Sequence, residues 1–100
     1  MKPMHVILWE FQPRAGKEAA FEQAYSANGE WAKLFARSKG FRGTELLKSA
    51  TGTYVTVDRW TSADAFAEFQ RHWHAEYQEL DQQMESLTQS ERSIGQYESA

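Results

Sequence analysis

The stretch Y-V-T-V-D-R-W-T-S-A-D-A-F-A-E-F, residues 54–69, describes a strand that leads directly into a helix. Val55 and Val57 fall on one side of the predicted strand, and Tyr54 and Trp60 fall on the other, because successive side chains of a strand point to opposite faces. Both sides are therefore apolar, whereas a strand with one face in water alternates apolar and polar residues. The pattern predicts a sheet that is covered on both faces.

The helix that follows begins at a hydroxyl cap. Ser62 precedes the helical pattern, and Asp64 places a negative charge in the first turn, where the helix dipole favours it. The apolar residues then recur at spacings of three and four, which predicts one buried stripe along a long helix. These residues are Phe66, Phe69, Trp73, Tyr77, Leu80, Met84 and Leu87. The spacing leaves open whether the helix over 62–88 is continuous or broken near 72–75.

The flanking segments supply the remaining elements. The residues S-A-T-G at 49–52 predict a short hairpin connection before the quoted strand. Asn28–Gly29 predicts a left-handed cap at the end of the first helix, and the proline at position 13 predicts the end of the first strand. Together the patterns predict strands over 4–11, 41–48, 53–60 and 92–98 and two further helices that start near Lys17 and Trp31.

The order of these elements, β-α-α-β-β-α-β, predicts an α+β fold with an antiparallel sheet and its helices on one face. No repeat, low-complexity tract or linker interrupts the chain, so we expect a single domain over residues 1–100. The helices can cover only one face of a four-stranded sheet, yet the strands are apolar on both. We therefore expect a homodimer in which a second copy covers the other face.

The composition excludes several classes of function. The chain has a net charge of −3 and no block of Lys or Arg, which disfavours a nucleic-acid partner. It contains no cysteine, so disulfides, thiolate chemistry and thiolate metal sites are ruled out. No stretch approaches the roughly 20 apolar residues of a membrane span. We expect a soluble cytoplasmic protein without a membrane partner.

Six residues in and after the quoted stretch form a family pattern, namely Asp58, Trp60, Ser62, Ala65, Phe66 and His74. The pattern resembles that of the antibiotic biosynthesis monooxygenase domain family. In that family an acidic residue two positions before a strand-ending tryptophan is followed by a serine-capped helix and then by histidines. The segment G-K-E-A-A-F-E-Q-A-Y at 16–25 is similar to the family's first helix, and the similarity covers about residues 4–97.

The resemblance implies a fold and a set of activities. The fold is a ferredoxin-like protomer, β-α-α-β-β-α-β, that pairs into a dimeric α+β barrel. Members of the family resemble cofactor-free oxygenases of aromatic polyketides and quinols, haem-degrading monooxygenases, and small proteins without a settled activity. The dimer agrees with the strands that are apolar on both faces.

The segment F-Q-R-H-W-H-A-E-Y, residues 69–77, contains two of the three histidines. Residues two apart on a continuous helix point about 200° away from each other, so His72 and His74 would not grip one metal ion. No zincin-type pairing occurs either, and we expect no metal site. His74 borders the apolar stripe and matches a family histidine position, which makes it the candidate general base. A purely structural role for His74 stays open, and we expect His72 on a solvated face.

Aromatic residues from several elements predict a ligand pocket between the sheet and the helices. The predicted lining residues are Trp9, Trp31, Tyr54, Phe69, Trp73 and Tyr77. Aromatic residues at such positions also form ordinary cores, and both interpretations stay open. Asp58 and Arg59 point to opposite faces of their strand, and for each of them an ion pair at an edge or interface is favoured over catalysis.

Three functions follow from these observations. The favoured one is a cofactor-independent monooxygenase of a small aromatic or polycyclic phenol or quinol, whose own anion reduces oxygen in a dry pocket. The alternative is a non-catalytic dimer that binds a hydrophobic small molecule. A haem-binding or haem-degrading protein is disfavoured, because the positions of the haem degraders' asparagine, tryptophan and histidine hold Trp9, Phe69 and Glu79. No flavin or nicotinamide fingerprint occurs, so we expect no cofactor.

Overall fold

The structure of the protein, a computed structural model, describes residues 3–100, so residues 1 and 2 of the predicted domain lie outside the described part. A four-stranded antiparallel sheet with the strand order β2-β3-β1-β4 carries the helices on one face, which confirms the predicted α+β, ferredoxin-like fold. A single 3-10 turn at Glu85–Leu87 precedes the last strand. The other elements are β1 (His5–Pro13), α1 (Glu18–Tyr25), α2 (Glu30–Phe35), β2 (Phe41–Lys48), β3 (Tyr54–Trp60), α3 (Ala63–His72), α4 (His74–Met84) and β4 (Thr88–Glu98).

The alternation of side chains along β3 separates a helix-covered face of the sheet from an open face. Tyr54 and Trp60 are 1% and 0% exposed, and the ring of Tyr54 packs against that of Phe21 on α1. Val55 and Val57 point to the opposite side, which is not part of the core cluster formed by the described helices and strands. The predicted division of these four residues between the two faces is confirmed.

The predicted long helix is two helices that meet at Trp73. Ser62 caps α3 as predicted, and its hydroxyl accepts a hydrogen bond of 3.0 Å from the amide of Ala65. Trp73 has φ −111° and ψ 25°, outside the α-helical region, so α3 ends at His72 and α4 begins at His74. The apolar stripe nevertheless packs against the core on both sides of the break, which is why its spacing gave no sign of the break.

Two strands are longer than their sequence patterns indicate. β1 continues through Pro13, which pairs with Thr88, and β4 begins at Thr88 instead of Arg92. Residues 89–91 are all polar, so hydrophobic alternation could not mark them as strand. The extension comes from backbone pairing with β1, which is a tertiary effect.

Gly29 is required by a close approach between helices. The predicted left-handed cap at Asn28–Gly29 is wrong, because Gly29 has φ −83° and no non-glycine residue within 3–100 has a positive φ. A Cβ added at Gly29 would lie 2.4 Å from the carbonyl oxygens of Gln23 and Ala24. The missing side chain therefore lets α2 start directly against the end of α1.

Candidate functional site

A cavity of about 70 Å³ lies between the helix-covered face of the sheet and the helices. All four strands contribute to its wall, together with α1, α2 and α4. The lining residues are Trp9, Phe11, Tyr25, Trp31, Phe35, Thr44, Thr56, Asp58, Tyr77, Asp81 and Glu91. One water molecule needs roughly 10–15 Å³ of such space, so the cavity holds several waters or one end of a small ligand.

Aromatic rings form much of this wall. The ring of Trp31, near the start of α2, lies 5.1 Å from that of Tyr77 on α4 and 6.0 Å from that of Tyr25, measured between centroids. Trp9 on β1 contributes a second indole ring. Burial raises the pKa of Tyr25 and that of Tyr77 to about 12, so both phenols are neutral near pH 7 and keep their protons.

Asp58 supplies a carboxyl group from the sheet side of the cavity. Asp58 is separated by an even number of residues from Tyr54 and Trp60, so its side chain points to the same face as theirs, toward the helices. Arg59 points to the open side. Thr44 lies directly opposite on β2, and its hydroxyl donates a hydrogen bond of 2.5 Å to the carboxylate. Burial raises the pKa of Asp58 from 3.8 to about 6, and the Thr44 hydrogen bond offsets part of the rise. A carboxyl group with this pKa exchanges its proton close to neutral pH.

Two more carboxylates lie at the rim of the cavity. Asp81 on α4 and Glu91 on β4 both line it and are both exposed, and Glu85 lies beside them in an adjoining cleft. Burial, and then the charges of Asp81 and Glu85, raise the pKa of Glu91. None of the four salt bridges found within residues 3–100 includes any of these three side chains. The rim is therefore negative and has no cationic side chain of the described residues in contact with it.

The indole N–H of Trp31 lies beside the hydroxyl of Tyr25 without reaching normal hydrogen-bond geometry, in a side chain that is only 7% exposed. Leaving a buried donor unpaired costs on the order of 1–3 kcal/mol, and most buried donors are paired. Trp60 Nε1 and His5 Nδ1 are unpaired as well, but neither residue lines the cavity. Trp31 is the one of these three residues that lines the cavity, and its N–H is buried beside Tyr25 and is not exposed to the cavity.

The structure brings together three of the six aromatic residues that the sequence suggested for a pocket. Trp9, Trp31 and Tyr77 line the cavity. Tyr54 and Phe69 are each 1% exposed and lie in the core, where Tyr54 donates a hydrogen bond to the carboxylate of Glu22 on α1. Trp31 also belongs to the core cluster, and Trp9 and Tyr77 pack against it, so the ligand-binding role of these residues stays a prediction.

The break between α3 and α4 places the other candidates elsewhere. Trp73 lines a separate surface cleft with Arg37 and His72, and the guanidinium of Arg37 lies 5.1 Å from the centroid of the Trp73 ring. His72 is exposed, as expected. His74 is also exposed, at the first residue of α4, and is not among the residues that line the central cavity. Its role as a base stays a prediction, and the structure places Asp58 in the cavity wall instead.

Asp58 is the functional candidate that sequence reasoning undervalued. The favoured ion pair is present for Arg59, which lies 3.5 Å from Glu45, but Asp58 is hydrogen-bonded to Thr44 at the cavity. The alternation of side chains along β3 already placed Asp58 on the same face as the buried residues Tyr54 and Trp60. That pattern could have identified Asp58 as a candidate site residue. Glu91 had no comparable signal, because its position depends on an unpredicted part of β4.

Neither a metal site nor a membrane-spanning helix occurs in the described part of the chain. No group of three or more His, Cys, Asp or Glu side chains within residues 3–100 is arranged to hold a metal ion. No helix in that range combines the length and the apolar character needed to cross a membrane.

The fold and the cavity define a small ferredoxin-like α+β protein with an aromatic and acidic site against its sheet. The family model of the antibiotic biosynthesis monooxygenases matches residues 4–86. The chain belongs to the antibiotic biosynthesis monooxygenase family, and the resemblance read from residues 54–74 is confirmed.

Solved structures show the same fold at low sequence identity. A variant of SnoaB, a cofactor-independent oxygenase from Streptomyces nogalater, is 23% identical with a TM-score of 0.78, over 97% of this chain and 92% of that chain. The protein SO0527 from Shewanella oneidensis is 21% identical with a TM-score of 0.67, over 99% and 93%. Rv0793 from Mycobacterium tuberculosis is 21% identical with a TM-score of 0.63, over 97% and 93%. A comparison with curated proteins found no significant match.

Proposed function

We propose that the protein is a cofactor-independent monooxygenase that acts on a small phenol or quinol. The observation that carries this proposal is Asp58, a carboxyl group in the wall of an aromatic cavity with a pKa near 6. Its carboxylate accepts the phenolic proton, because a general base works best when its pKa lies near the working pH. The similarity to SnoaB supports the class of reaction and does not identify a substrate.

The proposed reaction balances without an external reductant. The phenolate passes one electron to O₂, and the resulting phenoxyl radical and superoxide combine at a ring carbon that is ortho or para to the oxygen and bears a hydrogen. The hydroperoxide takes the proton from Asp58, and loss of the ring hydrogen and of the outer oxygen as water leaves a quinone. One phenol and one O₂ thus give one quinone and one water. A bound ligand displaces the water from between the aromatic walls, which protects the radical pair.

The volume of the cavity favours a single aromatic ring over a polycyclic one. Pockets for drug-sized ligands are typically about 300–1,000 Å³, whereas this cavity is about 70 Å³. The phenolic end of a ligand fits the cavity, and the rest extends across the rim formed by Asp81 and Glu91.

The two candidate bases are distinguished by a pair of matched variants. Asp58→Asn keeps the size of the side chain and removes its basicity, so we expect kcat to fall roughly a hundredfold or more, the usual scale for a positioned base. His74→Ala changes an exposed residue outside the cavity wall, so we expect little effect on kcat. Oxygen uptake by both variants and by the wild type is the measurement. A large loss for His74→Ala with full activity for Asp58→Asn would assign the base to His74.

The activity itself is tested with purified, metal-free protein and a panel of single-ring phenols and hydroquinones. We expect oxygen uptake and quinone formation in a ratio of one to one for at least one member of the panel. Binding without oxygen uptake across the panel would favour the alternative function, a non-catalytic protein that binds a hydrophobic small molecule.

We further propose that the protein works as a homodimer in which the open faces of two sheets meet. The open face is defined here by its apolar residues, Val6, Leu8, Leu47, Val55, Val57 and Tyr97. Leu47 and Tyr97 are 46% and 49% exposed, the large exposed hydrophobic residues of the described chain. Two ion pairs lie among these residues on the same face, Arg92 with Glu10 at 3.0 Å and Arg59 with Glu45 at 3.5 Å. Exposed apolar side chains gathered on one face of a small protein are typical of an interaction surface.

A further inference from the structure

We infer that the cavity selects a ligand with a positive charge, a compact phenol that carries a protonated amine. The phenol part of this inference rests on the proposed function, whereas the positive charge rests on the residues around the cavity. Three of the lining residues are carboxylic acids, Asp58, Asp81 and Glu91, and none is a lysine, an arginine or a histidine. The site is therefore acidic at its sheet side and at its rim.

The negative charge at the rim is not neutralised by the described residues. The four salt bridges within residues 3–100 use other carboxylates, those of Glu10, Glu22, Glu30 and Glu45. Asp81 and Glu85 instead add to the negative potential at Glu91, and their charges raise its pKa further after burial. A cation bound beside Asp81 and Glu91 relieves this repulsion, and it gains more energy there than at a site already neutralised by a protein cation.

The aromatic wall adds an independent preference for a cation. The rings of Trp31 and Tyr77 lie 5.1 Å apart by their centroids, and both line the cavity beside the acidic rim. An ammonium group within about 6 Å of the face of a Trp or Tyr ring is attracted by the negative potential of that face. Carboxylates and aromatic faces together form the usual surroundings of an organic cation.

The carboxylate of Asp58 accounts for a second group on the ligand. It lies at the sheet side of the cavity, away from the rim formed by Asp81 and Glu91. A phenolic hydroxyl there can donate its proton to the Asp58 carboxylate, as the proposed function requires. Hence the ligand carries a hydroxyl at the sheet side and a protonated amine at the rim.

The same charges reject anionic ligands. A phenol that bears a carboxylate brings a fourth negative charge to the surroundings of Asp58, Asp81 and Glu91, which disfavours it. Ionisation of the bound phenol is not opposed in this way, because the proton moves to Asp58 and the total charge of the cavity stays constant. The cavity therefore discriminates between ligands by the charge of the ring substituent, and it does not disfavour ionisation of the phenol.

The inference is tested by calorimetric binding of three similar single-ring phenols in the absence of oxygen. Tyramine carries an ammonium group, 4-ethylphenol is neutral, and 4-hydroxyphenylacetate carries a carboxylate. We expect tyramine to bind about tenfold or more tightly than 4-ethylphenol, with a preference that weakens as salt is added, and 4-hydroxyphenylacetate to bind least. The double variant Asp81→Asn/Glu91→Gln should reduce the preference to about twofold. Glu68→Gln, an exposed change on α3 outside the cavity, is the matched control and should keep it.

The outcomes separate this inference from the proposed function. Selective binding of tyramine without oxygen uptake when air is admitted would support the inference and reject the oxygenase. Oxygen uptake with 4-ethylphenol or 4-hydroxyphenylacetate as readily as with tyramine would support the oxygenase and overturn the inference. Equal binding of the three phenols, or a preference that survives in the double variant, would overturn the inference as well, and so would the absence of binding by all three. Thermal melting of each variant confirms that the binding data come from folded protein.

Discussion

Asp58 reduces the stability of the fold at neutral pH. Its pKa in the folded protein is about 6, against an ordinary value of 3.8, so the folded state holds this proton more tightly than the unfolded chain does. The resulting contribution to stability is fully present below about pH 4 and is lost as the pH rises through about 6. The pKa difference corresponds to about 3 kcal/mol lost by pH 8. Such a loss of stability is common at functional sites, because catalysis often requires a buried ionisable group that destabilises the fold.

Asp58→Asn should remove this pH dependence. Asparagine does not titrate, so the free energy of unfolding of the variant, relative to wild type, should rise by up to about 3 kcal/mol between pH 4 and pH 8. Urea denaturation at pH 4, 6 and 8 measures the difference, and Glu68→Gln on the exposed side of α3 is the control that should show no such trend. A constant difference across this pH range would mean that the carboxyl group of Asp58 titrates at its ordinary pKa.

At the scale of single elements, the junction of α1 and α2 depends on the space left by one glycine. Gly29→Ala would place a Cβ 2.4 Å from two backbone carbonyl oxygens, and backbone cannot move aside as the end of a flexible side chain can. We expect a loss of stability of about 1–3 kcal/mol, the usual cost of overpacking. Chemical denaturation measures it, and Asn28→Ala at the exposed neighbouring position should change stability little. An unchanged stability of Gly29→Ala would contradict this close approach of the two helices.

The elements themselves were largely predictable because their signals are local. Ser62 caps α3 with a hydrogen bond to the third following residue, and the S-A-T-G turn closes through a bond of 2.8 Å from the amide of Ser49 to the carbonyl of Thr53. The break at Trp73 and the start of β4 at Thr88 were not predictable in this way. Both depend on what packs or pairs from distant parts of the chain, and neither leaves a mark on the spacing of apolar residues.

At the scale of the whole molecule, light scattering at micromolar concentration should give a mass of about twice 11.6 kDa. Leu47→Glu should favour the monomer over the proposed dimer, because it places a charge in the open face at a side chain that is 46% exposed in the protomer. The exposure also means that the protomer should still fold. Gln82→Glu, on the exposed surface of α4, adds the same charge and should leave the mass unchanged. A folded, monomeric wild type would contradict the proposed dimer.

The sequence by itself determined the elements, the faces of the central strands and the family. Strand parity and helical spacing are set by the geometry of the backbone, so Tyr54 and Val55 could be assigned to opposite faces before any tertiary contact was known. Only the tertiary structure decided which side chains meet. Phe69 lies in the core and Trp31 in the cavity wall, and Thr44, Asp58 and Glu91 converge from three strands. The physical reason is that periodicity encodes which way a residue points, whereas a site depends on the register of strands and the docking of helices, which long-range packing fixes.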